Sequence, residues 1–273
     1  MPLVFAAATN HGPGITGRRD TAPEEEVAPF FEGWKRLHQR MEVANLDALV
    51  VVSSDHIQNL YMDNMPAFII GLGDEFPGPT EDEHFLKIPK TVVPGVPEIA
   101  GVLVEEVMET IDLSYSGELA LDHGFMVPLH FLTPKYDVPV IPLIINCMFP
   151  PYPKLGRAYE LGRALRRAID QQSQRIGLLG TGGLSHWPAS PLSGKVAEEW
   201  DKEFLDAMIA NSREDLIRYS DAEIERDGGP GGHEIRSWIT VAGACEGSGG
   251  TLDFYTPLPS FAIGGAVIEM TVA

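Results

Sequence analysis

Asp47-Ala-Leu-Val-Val-Val-Ser-Ser-Asp-His56 is the stretch on which the reading of this chain turns. It is a run of apolar, mostly β-branched residues, too short for a helix, that stops at a polar cluster ending in histidine. A strand covered on both faces of a parallel sheet has this continuous apolar character instead of the alternation of a half-exposed strand. In open α/β sheets, ligands and chemistry collect beyond the carboxyl ends of the strands. The same pattern, an apolar run that delivers a histidine, recurs at His11, His123 and His186.

Composition narrows the function classes. The 273 residues are 44 % hydrophobic and carry a formal net charge of −19, which describes a globular chain with an acidic surface. Such a surface repels phosphate backbones, so nucleic-acid partners are not expected. No apolar run approaches the ~20 residues of a membrane span, and residues 3–8 read as a strand, lacking the basic leader of a signal peptide. Cys147 and Cys245 are the two cysteines; they have neither metal-type spacing nor a disulfide framework, and a cytoplasmic setting is the default expectation.

Outward from the opening stretch, strands and helices alternate. The strand at 3–8 ends at His11, with Gly12 and Pro13 turning the chain. Thr21-Ala-Pro-Glu24 resembles a capping box, and Phe30, Phe31, Trp34, Leu37 and Met41 follow at helical spacing, with Pro29 blurring the start. After a second apolar run at 65–71 comes an acidic, Gly/Pro-rich stretch over 73–96, expected to be a loop at a mouth or lid. Ile99, Leu103, Val107 and Ile111 mark a helix. Residues 138–146 read as a strand, with Pro139 and Pro142 pointing to an edge or irregular position. A helix over Leu161, Leu165 and Ile169, a strand at 176–180, a helix over Val196, Trp200, Phe204 and Met208, a helix near 233–238 and a last strand near 262–270 complete the order. The alternation predicts a three-layer α/β fold, with a mainly parallel or mixed central sheet flanked by helices. No linker is evident, so residues 1–273 are expected to form one domain.

The residues that could carry chemistry are His11, His56, His123, His186 and Glu234. Two neutral imidazoles and a carboxylate with open coordination positions suit Fe(II), and the remaining histidines could move protons near neutral pH. Each residue also has an ordinary reading. A strand-end histidine can be a hydrogen-bonded turn residue, and Glu234 a helix-start carboxylate favoured by the helix dipole. Gly182-Gly183 can be a tight turn. His38 and His84 read as surface residues and His130 as structural, while His233 points about 100° away from Glu234 on a helix. The chain has no dinucleotide-binding glycine motif, no phosphate-binding loop and no His-Glu-x-x-His. Ser185 lacks the setting of a nucleophile elbow.

With these residues in view, the chain resembles the class III, LigB-type extradiol ring-cleavage dioxygenases. The resemblance rests on Ser54-Asp55-His56 with Met65-Pro66-Ala67-Phe68, on Asp122 to Leu129, and on Gly182-Gly183-Leu184-Ser185-His186. It continues through His233-Glu234-Ile235-Arg236-Ser237-Trp238 to Tyr255–Ser260, and so covers nearly the whole chain. It implies Fe(II) held by His11, His56 and Glu234, with His186 as acid/base beside the substrate. It further implies His123 as a second proton-transfer group and Ser260 on a substrate hydroxyl. The implied reaction opens the ring of a catechol, gallate or aminophenol with O2, giving a muconic semialdehyde-type product.

Other readings stay open at this point. Some proteins of the fold family are non-enzymatic binding or signalling modules with incomplete metal sites, and the ligand set by itself also suits a divalent-metal hydrolase. The segment between His186 and Glu234 looks shorter than in the dihydroxyphenylpropionate enzymes. The pocket is therefore expected to be completed by homo-oligomer contacts or by a separate small subunit. Arg18, Arg19 and Arg236 could meet a substrate carboxylate, with surface or structural roles as the ordinary alternative. Phe125, Trp187 and Phe261 could line the pocket.

Overall fold

The structure, a computed structural model, describes residues 2–272. Among the described residues there are ten strands: β1 (Leu3–Thr9), β2 (Ala48–Ser53), β3 (Phe68–Gly71), β4 (Glu75–Gly78), β5 (Thr91–Pro94), β6 (Ser114–Ser116), β7 (Val140–Ile145), β8 (Ile176–Thr181), β9 (Gly250–Leu258) and β10 (Ile263–Met270). Eight form one sheet in the order β6-β3-β7-β2-β8-β1-β10-β9, and β4 pairs with β5 in a separate hairpin. The central strands β7, β2, β8 and β1 are parallel. β3 joins β7 and β10 joins β1 in the antiparallel sense. The fold is the expected three-layer α/β arrangement with a mixed sheet.

The apolar run of β2 has a direct cause. Ala48, Val50 and Val52 pack into one core while Leu49 and Val51 pack into the other, so both faces of the strand need hydrophobic residues. Helices Pro97–Met108, Leu155–Asp170, Glu198–Ala210 and Ile235–Ala244 supply the first core; helices Glu24–Ala44 and His123–Leu132 supply the second. Each fully buried Leu, Ile or Phe in these cores contributes about 1.5–3 kcal/mol of transfer free energy. Helix Ile235–Ala244 lies almost in contact with the backbone of helix Leu155–Asp170. A Cβ on Gly162 would meet the Thr240 carbonyl oxygen at 1.9 Å, and one on Gly243 would meet that of Tyr159 at 2.1 Å. The close approach fixes the helix whose first turn follows Glu234.

Four local expectations are corrected. The Thr21 hydroxyl donates to the Arg18 carbonyl, and Pro23 stands at the N-cap of helix Glu24–Ala44 without a side-chain cap, so the capping box does not form. β7 is interior, between β3 and β2. Its pairing with β3 ends at Ile70–Leu143, one position short of Pro142, so the ladder does not require the N–H that proline lacks. The stretch over 73–96 carries β4, β5 and a short helix, Glu83–Leu86. β9 had no expected counterpart: it is a half-buried edge strand whose polar residues mask the apolar pattern.

Candidate active site

The strand tips converge as the parallel topology requires. His11 follows β1, His56 follows β2, and the segment after β8 carries His186. Asp122 caps the N-terminus of helix His123–Leu132 by accepting from the Gly124 N–H at 2.8 Å, which places His123 on the first turn. Glu234 closes a short 3-10 segment, Pro230–Glu234, just before helix Ile235–Ala244.

These five side chains meet at one place. Glu234 Oε2 lies 3.2 Å from His11 Nε2 and 3.7 Å from His186 Nε2, and Glu234 Oε1 lies 3.1 Å from His56 Nε2. Ring centroids are 5.0 Å apart for His11 and His56, 5.6 Å for His11 and His123, and 3.9 Å for His56 and His123. Glu234 also accepts from the Ser54 hydroxyl at 3.0 Å and the Gly183 N–H at 2.7 Å. Burial alone would raise its pKa, yet the surrounding imidazoles, His11 first and then His186 and His56, hold it well below the usual carboxylate range.

The hydrogen-bond network assigns the tautomers. Thr181 Oγ1 donates to the Gly124 carbonyl at 2.9 Å, so toward His11 Nδ1, 3.2 Å away, it accepts. His11 therefore carries its proton on Nδ1 and turns the Nε2 lone pair to Glu234. That Nε2 is buried and makes no hydrogen bond. Asp122 Oδ2 accepts from His56 Nδ1 at 2.9 Å and from the His56 backbone N–H at 2.8 Å. Burial would lower the His56 pKa, but Asp122 and Glu234 outweigh it and hold it well above the ordinary histidine value. His186 Nδ1 donates to the Leu184 carbonyl at 3.0 Å, leaving Nε2 on the cavity. Burial lowers the pKa of His186, and burial followed by the nearby His56 charge lowers that of His123, so both favour the neutral imidazole. A Cβ on Gly231 would lie 2.1 Å from His186 Nε2; a glycine there is what lets the ring occupy its place.

The cluster forms the floor of a cavity of about 340 Å3, within the size range of small-molecule sites. Its upper walls include Pro13, Arg18, Met148, Tyr152, Phe261 and Ile263. Among the expected site residues, Ser260 stands apart from the cluster. Its hydroxyl and N–H both donate to Glu26, at 2.8 Å each, so it is held in a β9–β10 connection away from the cavity lining, and its neighbours Phe261 and Ala262 face in. Phe125 is core, and Trp187 lies under Lys195 Nζ at 4.1 Å, so of the three aromatic residues considered only Phe261 lines the cavity. Arg236 is buried against Asp221 and the Pro153 carbonyl, and Arg19 pairs with Glu24.

Two functional neighbours escaped the sequence reading. Asp122 was visible as part of Asp122-His123-Gly124, but its bond to His56 is a contact across 66 residues. Glu81 sits in an acidic run with no distinguishing pattern, and its carboxylate accepts from His123 Nδ1 at 2.6 Å.

Donor chemistry and burial agree with a divalent metal at this floor. His11, His56 and His123 bring ring nitrogens within 4.8 Å of one another. His123 Nδ1 is committed to Glu81, however, whereas His11 and His56 both direct Nε2 at the Glu234 carboxylate. Two imidazoles and a carboxylate with oriented partners behind them are donors of the kind a divalent metal takes.

An α/β sheet with a histidine–carboxylate cluster across its strand tips defines a class of metal-site enzyme, and comparison with known proteins gives the family. The family described as "Catalytic LigB subunit of aromatic ring-opening dioxygenase" matches residues 5–268. A 2,3-dihydroxyphenylpropionate/2,3-dihydroxicinnamic acid 1,2-dioxygenase from Paraburkholderia xenovorans is 30% identical over 315 aligned positions, covering 96% of this chain and 95% of that protein. A protein of the same name from Cupriavidus necator is 29% identical, covering 98% of each. The crystal structure of an uncharacterized protein from Escherichia coli K12 superposes with a TM-score of 0.67 at 20% identity, covering 98% of this chain and all of that one, which supports the fold. The chain belongs to the LigB family and is an aromatic ring-opening dioxygenase. The alignment with the first relative runs over 315 positions against the 273 residues of this chain, so that relative carries segments this chain lacks. Among the described residues no helix is long and apolar enough to cross a membrane.

Proposed function

We propose that this enzyme is an Fe(II)-dependent extradiol dioxygenase that opens the ring of a catechol, or of a related gallate or aminophenol, with O2. His11, His56 and Glu234 would hold the metal, with His186 and His123 as proton-transfer groups. The observation that carries the reading is the Glu234 carboxylate set between His11 Nε2 and His56 Nε2 at 3.2 and 3.1 Å, all three buried or nearly so. When bound, Fe(II) would supply the redox-active centre that lets O2 react with an aromatic diol.

The chain's own residues have separable tasks. Asp122 and Thr181 fix the ring orientations of His56 and His11. His186 presents an unprotonated Nε2 to the cavity and is placed to accept a proton from a substrate hydroxyl. His123, backed by Glu81, presents its second nitrogen on the same cavity. The apolar walls keep the ring in place and limit water, which strengthens each polar contact inside. The relatives are named for dihydroxyphenylpropionate, so a catechol with a carboxylated arm is the first substrate to try. A homo-oligomer or a separate small subunit would cover what the shorter chain leaves open.

The deciding experiment is oxygen uptake by anaerobically Fe(II)-loaded protein offered catechols, gallates and aminophenols, with products followed by visible absorbance. Uptake matched by a yellow ring-opened product supports the reading. A protein that takes up iron but consumes no oxygen with any of them contradicts it.

A further inference from the structure

Arg18 is the only lysine or arginine among the described residues that line the active-site cavity. It lies seven positions after His11, on the same short segment. β1 ends, Gly12 and Pro13 turn the chain, and Arg18 caps the C-terminus of the turn of helix Gly14–Gly17. Its backbone is held on both sides. The Arg18 N–H donates to the Gly14 carbonyl at 3.0 Å, and the Arg18 carbonyl accepts from the Thr21 and Ala22 N–H groups at 3.1 and 3.2 Å.

The guanidinium is placed but unpaired. It folds back along the helical turn, where a Cβ on Gly14 would lie 2.8 Å from Nη2 and 2.9 Å from Nε. Gly14 thus leaves the space in which the guanidinium rests. Neighbouring cations have partners: Arg19 pairs with Glu24 at 2.8 Å and stacks on Phe31, and Lys87 pairs with Asp20 at 2.5 Å. The Arg18 side chain has no hydrogen-bond or ion-pair partner among the described residues. The chain has 39 acidic and 20 basic side chains, so an arginine without a carboxylate on this surface leaves its five donors free for a ligand.

The cavity is polarised as a result. Glu234 gives its floor an acidic group whose lone pairs face histidines, whereas Arg18 gives its outer wall a cation. A ligand with an anionic arm is repelled at the floor and attracted at the wall. Its uncharged ring is then the part that enters toward His186 and Glu234.

We infer that Arg18 is the specificity-determining anion anchor of this cavity, binding the carboxylate of a substrate's side arm while the ring faces the histidine cluster. The inference rests on the aromatic-substrate reading above and names the residue that selects among such substrates. Planar guanidinium suits a carboxylate because two parallel N–H···O bonds form at once, a geometry a lysine cannot reproduce.

The test is equilibrium binding, by calorimetry, of two ring compounds without hydroxyls to the full chain as purified: 3-phenylpropionate and its neutral counterpart 3-phenylpropan-1-ol. Wild type is expected to favour the carboxylate by about five- to tenfold, the exposed end of the range for a charge-assisted pair. The preference should shrink as salt is raised. In Arg18→Met the ratio of the two affinities should fall to about one, and Arg18→Lys should keep only part of it. Equal affinities in wild type, no detectable binding of either compound, or a ratio unchanged in Arg18→Met would each overturn the inference. Turnover is not read, so ring opening of catechols by a wild type showing no such ratio would leave the dioxygenase reading standing while removing Arg18 from it.

Discussion

His123 Nδ1 donates to Glu81 Oε1 over 2.6 Å, and the same oxygen accepts from the His123 backbone N–H at 2.9 Å. The loop that carries Glu81 is itself tied down. Lys90 Nζ donates to the carbonyls of Pro79, Thr80 and Glu81 at 2.6, 3.1 and 2.7 Å. The β4–β5 hairpin thus acts as a clip that fixes one imidazole of the site.

Replacing Glu81 by Leu removes the acceptor and frees the ring to rotate or change tautomer. Turnover should fall about tenfold or more, while Glu81→Gln, whose amide oxygen can still accept, should retain a larger share. Iron content should be unaltered in both, because Glu81 touches neither His11, His56 nor Glu234. Steady-state rates together with metal analysis check this, and equal losses in the two variants would argue against an orienting role.

His186→Ala should leave iron stoichiometry intact and lower the maximal rate by roughly 10²–10⁴-fold, the usual contribution of a general acid/base. Full activity in this variant would remove His186 from the proton pathway.

Glu234→Ala deletes the carboxylate between two imidazoles and also strands the Ser54 hydroxyl and the Gly183 N–H. Loss of bound metal and of activity is expected, with destabilisation of about 1–3 kcal/mol for the unsatisfied donors. Retained one-to-one iron, measured by mass spectrometry of the metal, would contradict its role as ligand.

Asp122→Ala leaves His56 Nδ1 without its acceptor and removes a helix cap at the same time. Metal affinity should drop 10–100-fold, as is typical when an orienting partner is lost, with about 1 kcal/mol of stability lost through the cap. Competition against a chelator reads the first effect and denaturant unfolding the second.

Asp201 gives a pH signature away from the histidine cluster. It is buried, accepts from the Ser185 N–H and hydroxyl and from Tyr255 OH, and burial raises its pKa from 3.8 to about 6. The folded state therefore keeps a proton that the unfolded chain releases between about pH 4 and pH 6. The contribution is fully present below pH 4 and is lost as pH rises through 6, amounting to about 3 kcal/mol. Compared with Asp201→Asn, wild type should lose about that much unfolding free energy between pH 4 and pH 7. A difference that stays constant with pH would show that Asp201 titrates normally.

The sequence was most legible where one residue reports its own surroundings. The β2 run predicted a doubly covered strand because every one of its side chains is buried, and three of the four cluster histidines stand just beyond apolar runs that are strands here. β9 was missed because an edge strand satisfies only one face and keeps polar residues on it. Ser260 carries its role by resemblance alone, and its bond to Glu26 joins residues too far apart in the chain for a local pattern to show.

By itself, the sequence determined the layered α/β class, the family and the five residues that gather at the floor, because strand-tip chemistry follows directly from a parallel sheet. Tertiary structure alone decided what stands behind them. Asp122 on His56, Thr181 on His11, Glu81 on His123 and the open guanidinium of Arg18 are contacts or vacancies among residues far apart in the chain, or settled by how a turn folds back. Ring orientation, tautomer and cavity polarity depend on these distances, and no local pattern of residues encodes a distance across the fold.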